Sequence, residues 1–116
     1  MVKYEEVTLD RVFYALSDEV RRSIVDQLYR GDRTIAELSS PFKISAPAIS
    51  RHISILKKTG LITVSRKGRH MVCSLELGSL IKLGTWLARY EKLWGKQLEA
   101  MKQEIASNAG KMSNKC

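Results

Sequence analysis

Ala46-Pro-Ala-Ile-Ser-Arg-His-Ile-Ser-Ile-Leu-Lys-Lys-Thr-Gly-Leu-Ile62 is the stretch on which the fold turns. Ile49, Ile53 and Leu56 follow one another at spacings of four and three, which places them on one face of a helix. The opposite face carries Ala46, Ser50, Arg51, Ser54, Lys57 and Lys58, all small, hydroxyl-bearing or cationic. Ser45 is a good N-cap, and Pro47 suits the first turn, where its missing N–H would have had no partner. Gly60 closes the helix after Thr59.

Upstream, Thr34-Ile-Ala-Glu37 reads as a capping box that opens a short helix, and Pro41 ends it. Two helices joined by Ser40-Pro-Phe-Lys-Ile-Ser45 make a helix-turn-helix. The second helix of that motif enters a major groove, where small side chains allow close approach and hydroxyls and Arg reach base edges and phosphates. Downstream the apolar period changes from 3.6 to 2. Leu61 to Ser65 and His70 to Leu75 read as two strands around the turn Arg66-Lys67-Gly68-Arg69. Such a hairpin beside a helix-turn-helix is a wing, with Arg66, Lys67 and Arg69 at its tip.

Further out the pattern is helical. Val7, Leu9, Val12, Phe13 and Leu16 form one stripe. A second, capped by Ser17 or Asp18, holds Val20, Ile24, Val25 and Leu28 and stops near Gly31. From Ser79 a long helix with Leu80, Leu83, Leu87, Tyr90, Trp94, Met101 and Ile105 at roughly heptad spacing is expected. The fold class is mainly α with a small β-hairpin: about five helices and a two-stranded wing. One domain is expected over residues 1–116. Residues 7–33 are its scaffold helices, 34–60 the helix-turn-helix, 61–76 the wing, 79–106 a C-terminal dimerisation helix and 107–116 a flexible tail.

The charge sharpens this. The 116 residues carry +8, and 44% of them are apolar, enough for a packed core. From Leu38 to Leu75 there is no Asp or Glu, and Lys43, Arg51, Lys57, Lys58, Arg66, Lys67 and Arg69 contribute +7. The rest of the chain has thirteen basic and twelve acidic residues. A local excess of this kind suits a polyanionic partner. No apolar run approaches the ~18–20 residues of a membrane span, and Met1 to Asp10 has no signal-peptide core, so a cytoplasmic protein is expected. Cys73 and Cys116 make no disulfide framework.

Leu16-Ser-Asp-Glu-Val-Arg-Arg-Ser-Ile-Val25, Ala46 to Ile62 and Arg66-Lys-Gly-Arg69 together resemble the signatures of the ArsR-type winged helix-turn-helix regulators. The resemblance covers about residues 7–106. It implies a homodimeric repressor of transcription that binds an inverted-repeat operator in double-stranded DNA, its own promoter included among the targets. Many relatives of this type sense metals through Cys, His and Asp clusters. Here Thr34 to Ser40 has no Cys or His, and Ser79 to Asn108 has no His, Cys or Asp. The chain is therefore similar to the branch without metal sites; no metal and no cofactor are expected, and the sequence names no small-molecule effector.

The expected DNA contacts are Ser45, Ala46, Pro47, Ser50, Arg51, Ser54 and Lys57 on the recognition helix, Arg66, Lys67 and Arg69 on the wing, and Thr34 at the start of the first motif helix. Expected dimer residues are Val12, Leu83, Trp86, Leu87, Tyr90 and Trp94. His52 reads as a packing or backbone-bonding histidine, and Cys73 as a small buried hydrophobe. No nucleophile–base set, phosphate-cradling glycine loop or carboxylate pair beside a His is present, so no enzyme is expected. Two other readings remain at this stage: a winged-helix module that binds protein, and a sequence-blind, chromatin-like coat on DNA.

Overall fold

The computed structural model describes the backbone of residues 4–113 and the side chains of residues 9–108. Val7 and Cys116 of the sequence reading lie outside the described side chains. The elements run α1 (Tyr4–Ala15), α2 (Glu19–Tyr29), β1 (Arg33–Thr34), α3 (Ile35–Ser39), α4 (Ala46–Lys58), β2 (Ile62–Lys67), β3 (His70–Leu75), α5 (Leu77–Ala88) and α6 (Glu91–Ser113). Residues up to Leu83 form one unit and those from Gly84 a second, where one domain was expected. All the fully buried apolar residues, from Val12 to Cys73, belong to the first.

Local chemistry sets the helix starts. Asp18 caps α2, its carboxylate accepting from Val20 N at 2.8 Å and Arg21 N at 3.1 Å. Thr34 opens α3 through the capping box expected of Thr34 and Glu37. Ser45 caps α4, its Oγ accepting from Ala48 N at 3.2 Å, with Pro47 in the first turn. At the other end of α4, Gly60 has φ +79° and a Cβ there would lie 3.1 Å from Ser79 Oγ. Only glycine fits such a reversal without strain.

The core of the first unit joins Val12, Ala15, Ile24, Leu28, Leu38, Ile49, Ile53, Leu56, Leu61, Ile62 and Cys73, so every element from α1 to β3 except β1 contributes to it. Val20, Val25, Leu75, Leu80 and Leu83 pack against it from outside.

Several elements differ from the sequence reading. The sheet has three antiparallel strands in the order β1-β3-β2, not two. β1 pairs Arg33 with Cys73 and Thr34 with Val72. Two residues are too few to show a period, which is why β1 left no pattern. The hairpin itself keeps its register, from Ile62 opposite Leu75 to Lys67 opposite His70. Gly68, φ +63°, takes the first central position of the two-residue turn, as a type II′ turn requires.

The long C-terminal helix is two, giving six helices in place of about five. α5 starts at Leu77 and ends at Ala88. The amides of Arg89 and Tyr90 then bond back three residues, to Trp86 O and Leu87 O, instead of four. No proline or glycine marks this tightening, so the apolar spacing runs straight through it. α6 continues to Ser113, past the point where the tail was expected to fray. Within the second unit the Trp86 and Tyr90 rings meet edge to face at 5.1 Å.

Candidate nucleic-acid interface

α4 is two-faced in the way its spacing implies. Ile49, Ile53 and Leu56 are buried. On the outer side Ser45, Ala46, Pro47, Ser50, Arg51, Lys57 and Lys58 are exposed, and Ser54 is half-buried. The fold therefore brings all seven recognition-helix candidates onto one helix and its cap. Among the described residues no carboxylate forms an ion pair with Arg51 or Lys57, so their charge is presented to solvent uncompensated.

Arg66, Lys67 and Arg69 are exposed at the end of the β2–β3 hairpin, and Arg66 Nε donates to Gly68 O at 3.3 Å. Thr34 takes the capping position expected of it at the start of α3. It is half-buried, and its hydroxyl accepts from Glu37 N at 3.1 Å while Glu37 Oε1 accepts from Thr34 N at 2.9 Å. These bonds from Thr34, backbone first, hold the Glu37 carboxyl below its ordinary value. One lone pair of the Thr34 hydroxyl oxygen is thus engaged in starting α3.

Of the expected dimer residues, Val12 is 0% exposed inside the first unit, so its side chain offers nothing to a second chain. It lies in the core with Ala15, whereas Phe13 of the same stripe is 45% exposed. Leu83 packs against the same core. Leu87 and Tyr90 are exposed, and Trp86 and Trp94 are half-buried. Cys73 is buried, and burial pushes its thiol up, which keeps it an unreactive hydrophobe. Among the described residues no three His, Cys, Asp or Glu side chains gather as a metal-binding group. Likewise no described helix is long and apolar enough to cross a membrane.

His52 is satisfied, though by side chains rather than backbone. Its Nδ1 lies 3.2 Å from Arg21 Nη1 and 3.9 Å from Asp18 Oδ1. Burial works against the Asp18 carboxylate, but amide bonds from Arg21 and Val20 and the nearby His52 outweigh it and lower its pKa. Arg21 was not singled out by the sequence reading. The signal was there: it stands three residues before Ile24 and seven before Leu28, a cation on the apolar stripe of α2.

With this geometry in place, likeness to known proteins decides the family. Residues 18–64, from the α2 cap to the middle of β2, match the family described as bacterial regulatory protein, arsR family. The transcriptional repressor SdpR of Bacillus subtilis is 38% identical over 82 residues, which is 71% of this chain and 91% of that one. The chain belongs to the arsR family. The HTH-type transcriptional regulator Rv2034 of Mycobacterium tuberculosis is 35% identical over 98 residues, covering 84% of this chain and 89% of its own. The crystal structure of an ArsR family transcriptional regulator superposes with a TM-score of 0.71 at 35% identity, over 82% of this chain and 97% of that chain. Members of the arsR family are regulatory proteins, and the winged helix-turn-helix of this chain is theirs.

Proposed function

We propose that this arsR-family chain is a homodimeric transcriptional repressor that acts in the cytoplasm by occupying an inverted-repeat operator. It binds DNA and catalyses no reaction. The observation that carries this reading is the outer face of α4. Ser50, Arg51 and Lys57 stand exposed on a helix whose other side is locked into the core, within a stretch that contains no acid from Leu38 to Leu75. α4 reads base edges with Arg51 and Ser50, while Ser45 and Lys57 hold phosphates. The wing cations Arg66, Lys67 and Arg69 rest on adjoining backbone or minor groove.

The dimer is supported by apolar surface that the chain leaves open. On α5, Leu77 and Ile81 are 58% and 63% exposed, and on α6 Leu93 and Ile105 are 79% and 65% exposed. A second copy related by a two-fold axis covers such faces and repeats α4 about 34–36 Å away, in the next major groove of the same DNA side. Leu87, Tyr90 and Trp94 contribute to that contact.

Footprinting on DNA upstream of the chain's own gene, with binding measured at several salt concentrations, tests this. About four phosphates neutralised per subunit give a log–log salt slope near −7 for the dimer. A protected inverted repeat is expected. Equal affinity for every duplex would reduce the protein to a sequence-blind coat, and a flat salt dependence would remove DNA as the partner.

A further inference from the structure

Arg21 is the only buried charged side chain among the described residues. Burying a guanidinium costs several kcal/mol unless its donors are engaged. Here they are. Nε donates to Ala15 O at 2.7 Å, Nη2 to Tyr14 O at 3.1 Å and Nη1 to His52 Nδ1 at 3.2 Å. The guanidinium carbon also lies 5.2 Å from the centroid of the Tyr14 ring. Tyr14 and Ala15 are the last residues of α1, where helix carbonyls lack intrahelical donors. One side chain on α2 thus joins the end of α1 to the middle of α4.

The contact with His52 has a fixed direction: arginine has no acceptor, so in this bond Nη1 donates and Nδ1 accepts. The joint is directional and adds one fixed bearing to the apolar contacts of Ile49, Ile53 and Leu56, which hold α4 against the core. Successive helical residues are about 100° apart, so anchoring His52 sets the bearing of its neighbour Arg51.

We propose that Arg21 and His52 are positioning residues for DNA reading: a buried polar joint that ties the end of α1 to the recognition helix and sets the angle at which α4 presents Ser50 and Arg51. Neither residue needs to touch DNA. This rests on the DNA-reading function proposed above, and sequence preference comes to depend on it as well as on the contact residues.

The probe is the duplex that the full-length protein enriches from a random-sequence pool, compared with a scrambled duplex of equal composition. His52→Leu removes the acceptor, whereas His52→Gln retains a neutral one. The preference of His52→Leu for the enriched duplex is expected to fall about tenfold, the worth of one hydrogen bond to a charged group. Its affinity for the scrambled duplex should stay within about twofold, because phosphate contacts are unchanged. His52→Gln should recover most of the preference, a rescue that loss of packing would not allow.

A His52→Leu protein with wild-type preference, or a His52→Gln protein as impaired as His52→Leu, would overturn the joint. Should His52→Leu not fold, His52→Phe, which fills the space of the ring without an acceptor, takes its place against His52→Gln. A wild-type protein that enriches no sequence overturns the DNA-reading function instead.

Discussion

α4 and α6 both carry apolar residues at helical spacing, and the structure treats them oppositely. Ile49, Ile53 and Leu56 of α4 are buried by their own chain. Leu93, Met101 and Ile105 of α6 are 79%, 55% and 65% exposed. Spacing identifies which face is apolar and is silent about what covers it. A stripe covered within the chain contributes to folding of that chain. A stripe left open contributes only when another surface is laid on it.

Substitutions can break this contrast or sharpen it. Leu56→Ala should have the largest effect, a loss of about 3 kcal/mol in urea unfolding, unchanged by protein concentration, because it opens a cavity in a closed core. Arg51→Ala lies on the same helix but on its outer face. It should leave unfolding within about 0.5 kcal/mol of wild type and weaken operator binding by about 10–100-fold, read by gel shift at fixed salt. Equal damage to folding from both would mean that α4 has no separable reading face.

Asp18→Ala removes the cap of α2 and should cost about 1 kcal/mol near neutral pH. The Asp18 carboxyl titrates below its ordinary value, so its contribution is present above about pH 4 and is lost as pH falls through the depressed value. The gap between wild type and Asp18→Ala in melting temperature should therefore close in acid. Leu93→Ala on α6 should cost least in the isolated chain, within about 0.5 kcal/mol. Its effect should appear in self-association: Leu93→Glu combined with Ile105→Glu should lower the mass found by sedimentation. An unchanged dimer would show that the open stripe of α6 belongs to some other contact.

The parts of the molecule that the sequence made legible are those where one residue acts on its near neighbours. The Thr34–Glu37 capping box, the Ser45 cap, the glycine at Gly68 and the outward face of α4 all depend on spacings of four residues or fewer. The parts that escaped depend on distance along the chain. β1 exists because β3, some forty residues on, offers it a register at Cys73 and Val72. Arg21 looks like a solvated helix cation until Tyr14, Ala15 and His52 are brought to its donors. Val12 and Ile105 look alike as stripe residues, yet one is buried and the other exposed.

The pairing of β1 with β3 has a mechanical consequence. Arg33 and Thr34 pair with the third strand at Cys73 and Val72, its middle, and leave the hairpin beyond Val72 held only by its own ladder. The three residues from Val72 to His70 make an arm of about 10 Å, fixed at one end like a cantilever and carrying Arg66, Lys67 and Arg69 at the other. Such an arm bends more readily than it shifts at its base. If the wing rests on DNA as proposed above, the arm would follow differences in groove width from one operator to the next, and tolerance for sequence variation should increase outward along each half-site.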